Sequence, residues 1–296
     1  MDSSFIHQEL TKANYIPTKD IACAVTSSIN DSTPLLIEGA PGVGKTELAK
    51  VTAQIMNVPL LRVQFYEGLT VDKILYDYNY QRQLLTIEAI RSSLEESLKG
   101  KDVQEAIDIA KNIDFFGKDF LIERPVLKSI NGNERCVLLL DEIDKSSEEI
   151  EYTLLEFLDG YSLSIPQFGT VTCPEDMRPI VFLTSNNYRE LSSALRRRCN
   201  YLYIPPKTKD ETINILIAKA AITNELASSI ANCIEKIKKL SLKQVPSIAE
   251  YITWAKYLKD KVLSDMLNEE DIKDSLFMIA KYPEDKQAIA KAIKFD

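Results

Sequence analysis

The chain has 296 residues, 45% of them hydrophobic, which is enough to build one large core or two ordinary ones. No apolar run approaches the roughly 20 residues of a membrane-spanning helix, so we expect no membrane span. The formal net charge of −8 disfavours a general nucleic-acid-binding surface. His7 is the only histidine, so a catalytic triad or a metal centre built on histidines is nearly excluded.

The cellular compartment is indicated by the cysteines and by the first residues. Five cysteines form no CxxC pair and no metal-ligand spacing, and their odd number gives no disulfide framework. Residues 1–5 lack the basic and apolar blocks of a secretory signal. We therefore expect a cytoplasmic protein.

A phosphate-binding loop follows the first predicted strand. The strand covers Leu35–Ile37, the loop GAPGVGKT occupies 39–46, and a helix is predicted at 45–56. The glycines let the backbone turn tightly and direct N–H groups at phosphate oxygens, while Lys45 reaches the β and γ phosphates and the Thr46 hydroxyl suits Mg²⁺. An ordinary glycine-rich turn is the alternative interpretation. The residues predicted to contact ATP are Gly39, Ala40, Pro41, Gly42, Val43, Gly44, Lys45, Thr46 and Glu47.

An insertion is predicted between the second and third strands of the main sheet. About seventy residues separate Leu60–Phe65 from the strand that begins at Val137, which is more than one crossover helix requires. Two apolar stripes at helical spacing lie in this interval, at 87–98 and 103–113. We predict a helical insertion at about 77–122, which is either a packing elaboration or a partner-binding surface.

Two acidic residues end the buried-strand pattern Val137–Leu140. Ligands bind at the carboxyl ends of strands in open parallel sheets. We therefore predict that Asp141 belongs to the Mg²⁺ shell and that Glu142 is the general base that polarises the attacking water. The alternative is a strand followed by helix-capping acids.

A helix is predicted directly after these acids. Asp144 lies near its start, where a negative charge complements the helix dipole. Ser146 with Glu149 has the spacing of a capping box, and Gly160 is predicted to end the helix.

Two further strands complete the predicted sheet, at Ile180–Thr184 and Tyr201–Ile204. Short apolar strands that alternate with helices are typical of an α/β fold whose parallel sheet is covered on both faces. Two consecutive prolines then break the pattern, and the segments after them have only helical periodicity. We predict a nucleotide-binding α/β domain at 1–206 and a helical lid domain at 207–296.

The order of these motifs resembles that of the AAA+ ATPases. The phosphate-binding loop, the Asp-Glu strand, Val181–Asn186 and Ala194–Cys199 follow one another as they do in that superfamily. The resemblance implies an AAA+ P-loop NTPase core with a parallel sheet, plus a C-terminal all-α lid. Within the superfamily the chain is similar to the MoxR group, including the subset similar to the CoxD and CbbQ proteins. The stretches that carry this similarity are Phe120–Pro125, Leu154–Leu158 and Leu183–Leu191.

The resemblance implies roles for two polar residues. Asn186 matches the sensor-1 residue, which contacts the γ phosphate or the attacking water, although an asparagine here is also a common turn former. Arg198 matches the arginine finger that an AAA+ ring supplies to the nucleotide of the adjacent subunit. Its neighbours Arg196 and Arg197 are alternatives, as is a solvated basic helix end.

Two other features concern the lid and the sensor strand. Many members of the superfamily carry a sensor-2 arginine on the lid, and the matching stretch of this chain has Ala249 instead. Lys243 or Arg189 is a candidate to compensate for it. Residues 161–165 and 169–172 alternate like the hairpin that the MoxR group places before its sensor strand.

The resemblance finally implies a function. It is that of an Mg²⁺-dependent ATPase that assembles with itself into a ring, expected to be a hexamer, and remodels or matures a protein client. Members of the MoxR group commonly act with a von Willebrand factor A domain partner, and some activate metalloenzymes. A nucleic-acid motor or loader is one alternative, which the acidic charge balance disfavours. A nucleotide-gated scaffold is another, which the intact Lys45, Thr46, Asp141 and Glu142 disfavour.

Overall fold

The computed structural model describes residues 1–97, 116–261 and 269–293, and only the backbone of 89–97. A five-stranded parallel sheet with strand order β2-β5-β8-β1-β9 forms the centre of the fold. The strands are β1 (Leu35–Glu38), β2 (Leu60–Gln64), β3 (Tyr76–Tyr78), β4 (Leu121–Glu123), β5 (Val137–Asp141), β6 (Ser162–Ile165), β7 (Gly169–Thr172), β8 (Ile180–Ser185) and β9 (Asn200–Tyr203).

Helices cover the sheet and form the C-terminal region. The α-helices are α1 (Ser3–Lys12), α2 (Lys19–Asp31), α3 (Lys45–Met56), α4 (Tyr80–Ser97), α5 (Pro125–Asn131), α6 (Glu148–Gly160), α7 (Ser193–Arg197), α8 (Lys209–Ala220), α9 (Asn224–Lys238), α10 (Ile248–Lys261), α11 (Glu269–Ser275) and α12 (Pro283–Ala292). Short 3-10 helices occupy Val71–Lys73, Ile143–Lys145, Glu175–Met177 and Leu276–Met278. Among the described residues, no helix has the length and apolar character to cross a membrane.

Both faces of the central sheet are buried, because alternate residues of each strand point to opposite sides. Leu36 and Leu138 belong to a core that the sheet forms with α5 and α6. Leu35 and Ile37 belong to a second core with α1, α2 and α3. The five predicted strands of this sheet are confirmed to within one residue at each end. The pattern gave no indication of α1 and α2, which precede the first strand and cover one face.

The predicted insertion lies partly within the described residues. Strands β3 and β4 pair in antiparallel fashion, so the two chain segments that lead into and out of this region lie side by side. Helix α4 follows β3 and covers most of the first predicted stripe. The second predicted helix, at 103–113, lies outside the described residues.

The helix after β5 begins one residue later than predicted. The side chain of Ser147, not Ser146, caps α6 by accepting a hydrogen bond from the N–H of Ile150. The Ser146/Glu149 capping box is therefore wrong, because a 3-10 helix first occupies Ile143–Lys145. The predicted hairpin is confirmed, since β6 and β7 pair in antiparallel fashion from Ser162↔Thr172 to Ile165↔Gly169.

The segment after β9 folds into a small helical bundle with its own core. Helices α8 to α12 supply this core, which centres on the fully buried Trp254. The indole N–H of Trp254 donates a 2.7 Å hydrogen bond to the hydroxyl of Ser275. Helix α11 is followed directly by the 3-10 turn Leu276–Met278. This helical region packs over the carboxyl edge of the sheet, where the candidate site lies.

Candidate nucleotide-binding site

A pocket of about 430 Å³ lies between the carboxyl edge of the sheet and the helical region. Its wall contains the 41–47 part of the glycine-rich loop and the ends of β5 and β8. The segment 14–16 and helices α8 and α10 close it from the other sides. The volume of the pocket is within the range of small-molecule sites. Its position also suits a nucleotide, because ligands bind where the carboxyl ends of parallel strands meet.

The loop is shaped by close backbone approaches that only glycine allows. Gly42 has φ +79°, and a side chain there would place its Cβ 2.7 Å from the Cβ of Ser247, at the start of α10. A Cβ on Gly39 would lie 2.4 Å from the carbonyl oxygen of Ile204. The loop is therefore packed between the last strand of the sheet and the helical region.

Lys45 connects this loop to the neighbouring strand end. Its side chain is buried, and its Nζ donates to the carbonyl oxygens of Gly39 and Ala40 at 2.7 and 2.9 Å and to Asn186 Oδ1 at 2.8 Å. Burial lowers the pKa of Lys45, and the nearby carboxylates act in the opposite direction. Asn186, predicted as a sensor, is thus brought into direct contact with the predicted phosphate-binding lysine.

Asp141 is the centre of a buried hydrogen-bond network. Its Oδ1 accepts hydrogen bonds from the hydroxyls of Thr46, at 2.9 Å, and Thr184, at 2.6 Å. Its Oδ2 accepts from Arg62, with Nε at 3.0 Å and Nη2 at 2.5 Å. Thr46 and Asp141 therefore meet as predicted for a pair that holds one cation. Thr184 and Arg62 are site residues that the sequence pattern did not reveal.

Glu142 sits in an unusual backbone conformation, with φ +60° and ψ 47°. A non-glycine residue is held in this left-handed region only when its surroundings compensate. The Glu142 N–H donates to Thr184 Oγ1 at 2.9 Å. Its Oε1 accepts from Asn186 Nδ2 at 3.3 Å, and its Oε2 accepts from Gln64 Nε2 at 3.0 Å and Lys145 Nζ at 2.6 Å. The carboxylate is fixed by three side chains from three different segments.

The loop that carries Asn186 is anchored by Asp144. The buried Oδ2 of Asp144 accepts the N–H groups of Asn186 and Tyr188 at 2.9 and 2.8 Å. The prediction that Asp144 only complements a helix dipole is wrong, because its side chain turns inward and binds backbone of the next strand end. Asp144 therefore helps to place Asn186.

Residues 34–199 match a protein-family model described as the AAA domain of the dynein-related subfamily. This match covers more than half of the chain. The chain belongs to the AAA domain family. Its AAA+ P-loop fold, with a five-stranded parallel sheet and a helical C-terminal region, agrees with the predicted fold class, and the AAA domain implies nucleotide binding and ATPase activity in general terms.

Individual relatives are distant. The Lon protease of Fusobacterium nucleatum is 27% identical over 203 residues, which are 66% of this chain and 22% of that protein. Lon protease 2 of Sorangium cellulosum is 27% identical over 186 residues, or 61% of this chain and 19% of that protein. A solved RuvB mutant of Thermotoga maritima has a TM-score of 0.50 at 16% identity, over 94% of this chain and 70% of that one. The chain thus spans about a fifth of the curated relatives, and the RuvB similarity concerns the fold alone.

The helical region after β9 contacts the pocket without an arginine at the position where the superfamily resemblance predicts one. Ala249 lines the pocket, and Ser247 is the residue packed against Gly42. Both proposed substitutes are wrong. Arg189 donates to the Ser146 carbonyl oxygen at 2.7 Å and pairs with a buried glutamate, and Lys243 pairs with Glu284 at 3.2 Å. Neither side chain lines the pocket described by the structure.

Positive charge reaches the pocket from other positions in the helical region. Lys207, Lys219 and Lys256 all line it. Lys219 also bridges to the first turn of α3, because its Nζ lies 2.8 Å from Glu47 Oε1. Burial lowers the pKa of Lys207. Lys207 lies in the loop before α8, Lys219 in α8 and Lys256 in α10, so no local sequence motif marks them.

None of the three neighbouring arginines, 196, 197 and 198, lines the pocket of its own chain as the structure describes it. Arg196 forms an ion pair with Glu38, the last residue of β1, and its Nη2 lies 2.6 Å from Glu38 Oε1. Arg198 donates to the Ala194 carbonyl oxygen at 3.1 Å, and its Nε lies 3.5 Å from Asp159. Arg197 is exposed and has no hydrogen bond or ion pair within the described part of the chain. The arrangement leaves Arg197 and Arg198 near the surface, outside the site that their own chain builds.

The double role of Thr184 yields a prediction. Thr184→Val keeps the shape but removes the hydroxyl that holds both Asp141 and the Glu142 backbone. We expect kcat for ATP hydrolysis to fall about 10- to 100-fold, because small misplacements of catalytic groups have effects of this size. Steady-state phosphate release measures kcat. Thr212→Val, which removes the hydroxyl of a buried threonine in α8, is the control for folding. A Thr184→Val protein with wild-type kcat contradicts the positioning role.

Proposed function

We propose that this chain is an Mg²⁺-dependent ATPase that works as a ring and uses ATP hydrolysis to remodel or mature a protein client. One observation carries the proposal. Lys45, Thr46, Asp141, Glu142 and Asn186, drawn from three separate segments, meet at one pocket through direct hydrogen bonds. Phosphoryl transfer depends mainly on positioning and charge neutralisation, and this set supplies both.

The donor atoms at Thr46 and Asp141 fit Mg²⁺. A hydroxyl and a carboxylate oxygen lie 2.9 Å apart, and Mg²⁺ prefers hard oxygen ligands. The described residues contain no group of three or more histidine, cysteine, aspartate or glutamate side chains suited to a metal ion. That agrees with Mg²⁺ sites, which usually take one or two protein ligands and complete their shell with phosphates and water. When bound, Mg²⁺ neutralises negative charge on the phosphates.

The remaining residues divide the chemistry among them. The backbone of the loop and Lys45 hold the phosphates, and Asn186 reaches the γ-phosphate end through its contact with Lys45. Glu142 is the general base. It follows Asp141 in the chain, and its carboxylate accepts a hydrogen bond from Asn186, the residue assigned to the γ-phosphate end. Water attacks the γ phosphorus, and the bond from that phosphorus to the β–γ bridging oxygen breaks. Glu142 takes the proton of the water, and ADP and inorganic phosphate leave.

Assembly into a ring is supported by the arginines. A finger arginine acts in the nucleotide site of the next subunit, so it should lie outside the site of its own chain, as Arg197 and Arg198 do. A head-to-tail contact of this kind generates a closed ring when its rotation closes, and we propose a hexamer. Each active site is then complete only in the assembly.

A protein client is favoured over nucleic acid. The charge of −8 opposes a long contact with a phosphate backbone. The resemblance to the MoxR group, on 120–125, 154–158 and 183–191, supports a chaperone-like role in the cytoplasm with a von Willebrand factor A domain partner. The described parts of the insertion, at 77–97 and 116–122, and the β6–β7 hairpin offer surfaces for such contacts. The similar proteins do not identify the client. The match to the Lon proteases covers only about a fifth of their length, and the similarity to RuvB concerns the fold alone.

The test is a pull-down with tagged Glu142→Gln protein in ATP. A ring that binds ATP without hydrolysing it should retain its protein partner or client, and Lys45→Ala, which should not bind ATP, should retain neither. The purified partner should then stimulate ATP hydrolysis by the wild type. Strong stimulation by DNA or RNA instead, fading steeply with salt, would favour the motor alternative.

A further inference from the structure

A buried carboxylate on α6 contacts the loop that joins β8 to α7. Glu151 is 1% exposed, and its Oε2 accepts a 2.9 Å hydrogen bond from the N–H of Ser192. Its Oε1 forms an ion pair with the guanidinium of Arg189. A buried charge is unfavourable unless it is paired and hydrogen-bonded, and Glu151 has both kinds of partner. These contacts therefore hold the loop at two points.

Arg189 connects the same loop to the segment between β5 and α6. Its Nε and Nη2 donate to the carbonyl oxygen of Ser146 at 3.1 and 2.7 Å, and Nη2 also donates to the Ser146 hydroxyl at 3.1 Å. Asp144 fixes the other end of the loop, because it accepts the N–H groups of Asn186 and Tyr188. The loop is thus held by side chains from its first residues to its last.

The last residue of this loop caps α7. The side chain of Ser192 accepts a 3.3 Å hydrogen bond from the N–H of Leu195, which is fully buried. Helix α7 has only five residues, Ser193–Arg197, and Arg198 follows it directly. A helix of this length is not stable by itself, so its position depends on the contacts at its ends. The placement of Ser192 therefore determines where the arginines at 197 and 198 lie.

Helix α6 contacts α7 at both ends of the shorter helix. Glu151 holds its start through Ser192. Asp159 lies about two turns further along α6, and its Oδ1 is 3.5 Å from Arg198 Nε. The side chain of Asp159 is 70% exposed, and an exposed ion pair is weak, so the buried contact of Glu151 is the stronger of the two.

We propose that Glu151 is a positioning residue that fixes α7, so that the finger arginine reaches the nucleotide site of the adjacent subunit. The inference rests on the proposed function, since it concerns how the same ATPase presents its arginine finger. Glu151 is not among the described residues that line the pocket of its own chain. A change at Glu151 should therefore lower kcat at the neighbouring site and leave the affinity of its own subunit for ATP unchanged.

The test is Glu151→Gln, assayed for ATP hydrolysis alone and in mixtures. The amide offers one acceptor oxygen in place of two, so the contact with Ser192 or with Arg189 is lost. We expect kcat to fall about 10- to 100-fold with unchanged ATP affinity, because small displacements of catalytic groups have effects of this size.

Mixing shows on which side of the subunit interface the defect lies. Glu151→Gln subunits keep an intact nucleotide site, and Lys45→Ala subunits keep an intact finger. An equal mixture should therefore recover about a quarter of the wild-type rate, since a quarter of randomly formed head-to-tail interfaces join the two intact parts. A mixture of Glu151→Gln with Arg198→Ala subunits should recover none, because both proteins lack a correctly placed finger.

Asp285→Asn is the matched control. Asp285, on α12, is also a buried carboxylate that accepts backbone N–H groups, from Lys243 at 2.9 Å and Gln244 at 3.1 Å. Its kcat should equal that of the wild type. Glu151→Asp is the second variant, because it keeps the charge beside Arg189 and shortens the side chain by one methylene. It should also lose kcat and recover with Lys45→Ala subunits, and it decides the question if Glu151→Gln folds poorly.

The outcomes separate this inference from the proposed function. An unchanged kcat in folded Glu151→Gln, or a loss of kcat that Lys45→Ala subunits do not restore, overturns the inference. Wild-type protein that does not hydrolyse ATP overturns the proposed function. If neither Arg197→Ala nor Arg198→Ala recovers activity with Lys45→Ala subunits, the finger itself does not act in trans. Recovery by one of these arginine variants without recovery by Glu151→Gln overturns this inference alone.

Discussion

Glu142→Gln should bind ATP with nearly wild-type affinity and hydrolyse it about 100-fold or more slowly. The amide has the shape of the carboxylate, and its one oxygen can still accept from Lys145, but its NH2 group cannot accept from Asn186 and cannot take the proton of the attacking water. Affinity is measured by equilibrium binding of a fluorescent ATP analogue, and kcat by phosphate release. A loss of kcat without a loss of affinity identifies an interaction of the transition state.

Two comparisons make this result specific. Lys45→Ala should instead lose ATP binding, because it removes the buried ammonium that is positioned among Gly39, Ala40 and Asn186. Glu149→Gln changes an exposed acid in the first turn of α6 and should keep both affinity and kcat. Normal turnover by Glu142→Gln would exclude Glu142 as the base.

The sequence predicted those parts of the site that are contiguous in the chain. The glycine-rich loop needs particular residues at fixed spacing, so a local motif identifies it. The aliphatic run before Asp141 marks a strand that is buried on both faces, and the acids at its end follow from the rule for parallel sheets. The fold class follows from the same alternation of strands and helices.

The parts that the sequence could not predict depend on strand order. Arg62 and Gln64 reach the acids because β2 lies beside β5, with Gln64 opposite Asp141. Thr184 reaches them because β8 lies on the other side of β5. Nothing in the local sequence distinguishes these residues from other strand residues. The strand order β2-β5-β8 determines which of their side chains are close together.

Ser146 and Asp144 depart from prediction for a related reason. Their expected roles depend on their distance from the helix start, and the extra 3-10 turn changes that distance. Arg189 lies close in sequence to Asn186, yet its guanidinium turns away to Ser146. Proximity in the chain therefore predicted the backbone path better than it predicted the direction of side chains.

Arg198→Ala should bind ATP normally and lose hydrolysis by about 1,000-fold or more, because a finger arginine stabilises charge on the transferred phosphoryl group of the adjacent subunit. Arg198 is the stronger candidate by its match to the superfamily, and its ties to Asp159 and Ala194 hold the side chain in one place. Arg197→Ala is the direct comparison, since that residue is exposed and unpaired within the described ranges. Arg196→Ala should affect folding more than chemistry, because its partner Glu38 ends the central strand β1.

Mixing decides whether the arginine acts between subunits. Arg198→Ala subunits have an intact nucleotide site and no finger, whereas Lys45→Ala subunits have a finger and no working site. An interface that joins the two in the correct order is complete, and random assembly of equal amounts makes about a quarter of the interfaces complete, since the contact is head-to-tail. We therefore expect two inactive proteins to regain about a quarter of the wild-type rate when mixed. If both proteins assemble and no ratio restores hydrolysis, Arg198 does not act in trans, and the same mixing with Arg197→Ala then tests its neighbour.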